Sequence, residues 1–118
     1  NSARPPQFVG TKAHIVNSRI SEGCRIYGRV ENSVLSGGVI VEEGAVVKDA
    51  VILANSVVRS GAVVSYSIVD ENVEIGANAV VGVPKDPSAE IVVLGRGITV
   101  ADGVKVSEGQ KHENDITM

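Results

Sequence analysis

Large aliphatic side chains return along this chain every six residues, with every third interval cut to five. Ile20, Leu35, Ile52, Val69 and Leu94 hold one position of the resulting seventeen-residue row. Val9, Ile26, Val41, Val58, Ile75 and Val100 hold a second, and Ile15, Val30, Val47, Val64, Val81 and Val106 a third. Rows 32–48, 49–65 and 66–82 align without a gap, and 91–107 repeats the pattern after an eight-residue interruption. Smaller residues recur two positions before each aliphatic, as in Ala45 before Val47, Ser33 before Leu35 and Cys24 before Ile26. Each side of a row therefore reads in, out, in, which is the period of a β-strand. Gly, Asn, Asp and Glu gather between the sides, at Gly37 and Gly38, Glu43 and Gly44, Ala54 and Asn55, and Ser60 and Gly61. Gly and Asn accept positive φ and suit sharp corners.

A fixed period with three short strands per repeat predicts a stacked parallel solenoid. The fold expected is all-β: a hexapeptide-repeat solenoid of about five coils, a prism with three flat parallel sheets. One coil cannot bury its own inner face, so stability must come from stacking neighbours. Row 17–31 is two residues short, which predicts a tightened corner near Tyr27 and Gly28. Residues 83–90, with Pro84 and Pro87, are expected to leave the prism as a loop. The domain reading is a linker at 1–7 from a missing N-terminal domain, a solenoid at 8–107, and a polar tail or cap at 108–118. Little chain precedes the first coil to cover its open end, which suggests a piece of something larger.

Aromatic residues make up 3% of the 118 residues and Trp is absent, a composition that fits a narrow core of Val, Ile and Ala. No apolar run reaches the ~18 residues of a membrane helix, so no membrane partner is expected. No signal peptide is visible. The single Cys24 excludes an internal disulfide and agrees with a reducing, cytoplasmic setting. The net charge of −3 hides an asymmetry: through Val30 five Lys/Arg face one Glu, a net of +4, and the remainder carries six against thirteen, a net of −7. The basic stretch is short and poor in stacking residues, so nucleic acid is not expected.

Catalytic chemistry is sparse. His14 falls in an outward position and His112 in the tail, and neither has Cys, Asp or Glu at metal-ligand spacing. Cys24 reads as inward filler. Gly95, Arg96 and Gly97 lack the strand-then-helix context of a phosphate loop and read as a corner. Glu42 and Glu43 are adjacent on a turn and point apart, so they form no acid–base couple. No catalytic residue and no metal site is assigned. The outward positions are more telling: Val34, Val51, Ile68 and Val93 make one stripe, Val46, Val63 and Val80 another, and Ile40 and Val57 add to a third. Outward aliphatics in ladders predict contact with another subunit or domain.

Several segments resemble a known family. They are residues 5–10 (Pro5, Pro6, Gln7, Phe8, Val9, Gly10), 21–24, 30–35 (with Glu31, Asn32, Ser33), 41–49 and 72–76. Together they are similar to the C-terminal β-helix domain of bacterial glucose-1-phosphate adenylyltransferase, over roughly 5–107. The resemblance implies a single-stranded left-handed parallel β-helix, the exception to the right-handed crossover rule. It implies a parent enzyme that makes ADP-glucose and diphosphate from ATP and glucose 1-phosphate for glycogen synthesis, with Mg and ATP bound by an N-terminal catalytic domain absent here. It further implies a tetramer of like or related subunits under allosteric control, with the β-helix serving assembly and regulation. No cofactor is expected on this fragment. Lys12, Arg19, Arg25 and Arg29 are then expected to meet that domain or an anionic effector. The alternative is a stand-alone hexapeptide acyltransferase, which needs an interface histidine that loop 83–90 does not supply. A carbonic anhydrase of similar coil needs three histidines per site, and the chain has two. Between a catalytic and a catalytically reduced subunit the residues do not choose.

Overall fold

The computed structural model describes residues 6–107, 109 and 111–117. The first coil contains β1 (Phe8–Val9), β2 (His14–Val16) and β3 (Arg19–Ile20). The second holds β4 (Arg25–Ile26), β5 (Arg29–Glu31) and β6 (Val34–Leu35), and the third β7 (Ile40–Val41), β8 (Val46–Lys48) and β9 (Val51–Ile52). The fourth holds β10 (Val57–Val58), β11 (Val63–Ser65) and β12 (Ser67–Val69). The fifth runs through β13 (Glu74–Ile75), β14 (Val80–Val81) and β15 (Val92–Leu94), and the sixth through β16 (Thr99–Val100), β17 (Lys105–Val106) and β18 (Lys111–His112).

The strands assemble into three parallel sheets of six among the described residues, ordered β1-β4-β7-β10-β13-β16, β2-β5-β8-β11-β14-β17 and β3-β6-β9-β12-β15-β18. These form the first, second and third faces of the prism. Every pairing joins a coil to the next, as in Val58↔Ile75, Val64↔Val81 and Val69↔Leu94. This is a parallel β-solenoid, consistent with the left-handed coil that the family resemblance implies. The chain makes about six turns where about five were expected. The polar tail completes the sixth turn, adding its third strand, in which Lys111 and His112 pair with Val93 and Leu94. The tail has no aliphatic at the strand position, so its strand leaves no trace in the hydrophobic pattern.

The core is the set of inward columns. Ile26, Leu35, Val41, Ile52, Val58, Val69, Ile75 and Leu94 are fully buried. Three buried positions carry serine, and each hydroxyl is satisfied. Ser33 Oγ donates to Glu31 O at 2.7 Å and accepts from Ala50 N at 3.1 Å. Ser56 Oγ donates to Asp70 O at 2.8 Å and accepts from Val73 N at 3.1 Å. Ser67 Oγ donates to Ser65 O at 2.8 Å. Such pairing is what lets a polar group sit in a dry core without the cost of an orphaned donor.

Corners use the left-handed backbone. Asn17, Asn32, Asp49 and Tyr66 turn the chain from the second face to the third at φ of 47–54°. The row that is two residues short does tighten at Tyr27 and Gly28. Two residues link β4 to β5 there, against four from Val41 to Val46 one coil later. Between β14 and β15 the chain makes an excursion through 82–91 that carries no strand. In it Asp86 Oδ1 accepts from Ser88 N and Ser88 Oγ, both at 2.7 Å.

The two ends of the prism differ. At the C-terminal end Ile116 bridges to Val100 and packs on the core, and Asp115 Oδ1 accepts from Thr99 N at 2.8 Å. At the N-terminal end the inward Val9 is 45% exposed and Ile15 and Ile20 are half-buried. Of the stretch expected to be a linker, residues 1–5 lie outside the described residues, as do 108, 110 and 118 of the tail.

Candidate functional site

The first two coils place their basic residues on different faces. Arg25 is outward on the first face, paired in register with Phe8 below it. Arg29 is outward on the second face, next to His14. Arg19 is outward on the third. One residue precedes the inward aliphatic on each of three successive sides, so the three guanidiniums diverge. A single small anion cannot be held by all of them.

Arg25 packs against two aromatic rings. Its guanidinium lies 5.9 Å from the ring centres of both Phe8 and Tyr27, within cation–π range. Its Nε and Nη2 donate to Tyr27 Oη at 3.0 and 2.8 Å. The two rings are 5.7 Å apart and tilted by 47°. Lys12 lies beyond Tyr27, lining one surface recess with it, and pairs with Glu43 at 3.2 Å. Lys12 and Arg25 therefore share one end of the first face through Tyr27. The aromatic half of this cluster was not read from the sequence. The signal was the seventeen-residue spacing of Phe8 and Arg25, which stacks them.

Arg29 Nη1 contacts Glu31 Oε2 at 2.7 Å along the same strand. This hydrogen bond holds the Glu31 carboxyl below the ordinary glutamate range. A carboxylate lowered in the folded state adds stability above its unfolded pKa and loses it as pH falls through the folded one. The pair is exposed to water, so that contribution is small. The titration itself is measurable. By NMR, the Glu31 side-chain carbon should show a midpoint below that of an unpaired glutamate, returning toward it in Arg29→Gln. Identical midpoints in the two proteins would mean the pair does not form in solution. A second ion-pair group, Arg59 to Glu42 at 2.9 Å and to Glu74 at 3.0 Å, clamps three coils along one corner.

The outward aliphatics form the expected ladders. Val34, Val51, Ile68 and Val93 pair in unbroken register on the third face. Val46, Val63 and Val80 do so on the second, and Ile40 with Val57 on the first. Val34 is 42% exposed and the others are half-buried, shielded by their own neighbours along the ladder. Cys24 is fully buried, with Sγ 3.1 Å from Ser36 O, in keeping with its reading as filler. His14 is exposed on the second face, and Gly95, Arg96 and Gly97 form a corner. Among the described residues no three His, Cys, Asp or Glu side chains are grouped as metal ligands. No described helix is long and apolar enough to cross a membrane.

A family model for the GlmU-like, C-terminal hexapeptide matches residues 5–104. The chain belongs to that family. This GlmU-like hexapeptide chain is 32% identical over 117 residues to a glucose-1-phosphate adenylyltransferase of Acetivibrio thermocellus, covering 92% of the chain and 28% of the relative. It is 35% identical over 118 residues to one of Bacillus cytotoxicus, covering 100% of the chain and 24% of the relative. The hexapeptide chain thus spans about a quarter of those relatives, and it is homologous to their C-terminal part. Among solved structures, the acetyltransferase domain of PglB from Neisseria gonorrhoeae superimposes with a TM-score of 0.65 at 19% identity, over 97% of this chain and 52% of that one. At that identity the likeness is one of fold.

Proposed function

We propose that this chain is the assembly and regulatory solenoid of a glucose-1-phosphate adenylyltransferase acting in the cytoplasm in glycogen synthesis. What supports the reading is that homology runs the length of the chain yet covers about a quarter of each relative. The chemistry, with Mg and ATP, then belongs to a catalytic region outside these residues. The solenoid contributes geometry. Its coils are locked by backbone ladders into a rigid prism, and a rigid body with flat faces can fix the distance and angle between catalytic units.

In this reading the half-exposed ladders Val46, Val63, Val80 and Val34, Val51, Ile68 meet neighbouring subunits or the catalytic domain. The Lys12–Tyr27–Arg25 end of the first face meets an acidic domain surface or an anionic metabolite effector. The planar donor fork of Arg25 gives Nε and Nη2 to the Tyr27 hydroxyl, and in this reading Nη1 is the donor that meets a phosphate or carboxylate. Arg19 and Arg29 act at other contacts.

The test uses the full-length polypeptide that carries this sequence. It should form ADP-glucose from ATP and glucose 1-phosphate, and Arg25→Glu should displace its effector activation curve while leaving the unactivated rate nearly unchanged. Superimposable activation curves would remove Arg25 from regulation. A native polypeptide no larger than this chain, stabilised against heat by acetyl-CoA, would replace the reading with an acyltransferase.

A further inference from the structure

Two aliphatic ladders end in cations on both sides. On the third face the outward order is Arg19, Val34, Val51, Ile68, Val93, Lys111, each in register with the next. On the second it is Arg29, Val46, Val63, Val80, Lys105. The third face is the more apolar. Its central strands β12 and β15 turn one side chain outward per rung, whereas β8 on the second face adds the exposed Lys48. Leu53 and Ile91, both half-exposed, widen the same face at its two edges. The end charges also differ. Arg29 is paired with Glu31, while among the described residues neither Arg19 nor Lys111 has an ion-pair partner.

Symmetry decides what such a face can bind. Two copies joined through one face by a two-fold axis use the same patch twice. If the prisms run parallel, Arg19 meets the second copy's Arg19 and Lys111 its Lys111. If they run antiparallel, Arg19 meets Lys111 at both ends. Either arrangement sets cation against cation at each end of an apolar contact, the repulsive element by which an interface rejects a wrong partner.

We propose that the third face docks a different polypeptide surface: an apolar strip with a carboxylate at each end. Rungs lie about 4.8 Å apart, so the five intervals from Arg19 to Lys111 set those carboxylates about 24 Å apart. The proposal rests on reading the ladder as an interface and adds which partner it accepts. The brackets exclude a second copy through this face and align the true partner along the prism axis.

A charge-swapped copy of the chain is the probe. R19E/K111E keeps the ladder and brackets it with carboxylates. Sedimentation velocity on the full 118-residue chain should find wild type and R19E/K111E each monomeric through this face. Their mixture should form a one-to-one complex at least tenfold tighter than either self-association. The complex should weaken as salt rises and vanish when both chains also carry Ile68→Glu. A mixture that stays monomeric overturns the proposal, as does wild-type dimerisation that Ile68→Glu abolishes. If the mixture stays monomeric while Ile68→Glu still disrupts assembly of the parent enzyme, the charge rule falls and the interface reading stands. If Ile68→Glu leaves that assembly intact as well, both fall.

Discussion

Ile52→Ala is expected to destabilise the chain by about 2–5 kcal/mol, the range for emptying a large aliphatic site in a packed core. Ile52 is fully buried on β9, in register with Leu35. The neighbours that would have to collapse into the cavity are held by coil-to-coil hydrogen bonds, such as Ser36 N to Ile52 O at 2.9 Å. Little relaxation is available, so the cost belongs in the upper part of that range. Val51, one residue away, points out and is half-buried. Val51→Thr should cost well under 1 kcal/mol in the isolated chain, the usual size for surface changes. Urea unfolding of the two variants compares them directly. Equal losses would mean that the inward and outward assignments do not describe the chain in solution. Because each coil touches only its neighbours, the loss at Ile52 should also appear as faster amide exchange in the second, third and fourth coils.

Gly28→Ala should rank beside it, at about 3 kcal/mol, although it adds a single methyl group. The second coil turns from the first face to the second with only Tyr27 and Gly28. That shortcut draws the backbone in against the wider corner of the third coil. A Cβ on Gly28 would sit 2.7 Å from Glu42 O and press on Ala45 O as well. Both are main-chain atoms already held by hydrogen bonds, Ala45 O accepting from Arg29 N at 2.9 Å across coils and Glu42 O from Ala45 N at 3.0 Å within the corner, so neither can swing aside. Gly97 is the control. It has φ of +76° but nothing within 4 Å of an added Cβ, so Gly97→Ala should cost only the left-handed backbone penalty of about 1 kcal/mol. If Gly28→Ala proves as mild as Gly97→Ala, the corner is looser than its geometry.

Both predictions rest on features already present in the letters of the chain. The six-residue beat separates Ile52 from Val51, and the two missing residues locate the tight corner at Tyr27 and Gly28. The relation of Arg19, Arg25 and Arg29 was present too, since each precedes an inward aliphatic on a different side. Counting them as one basic stretch along the chain hides that they diverge in space. The polar tail was not legible. β18 and the Ile116 bridge are held by main-chain hydrogen bonds, such as Gly95 N to His112 O at 2.7 Å. Such bonds ask nothing of side-chain type, so no residue pattern announces them.

The sequence by itself determined the period, the parallel stacking, the buried columns, the corners and the family. It could do so because a solenoid is nearly one-dimensional: each coil repeats the environment of the last, and a column of letters becomes a column in space. Tertiary structure alone decided how the ends differ and which side chains meet across coils. It set Arg25 between Phe8 and Tyr27, made Arg59 the clamp between Glu42 and Glu74, closed one end with Ile116 and left Val9 open at the other. These depend on rotamers and on the contacts that individual side chains make between coils, which a hydrophobic beat does not encode.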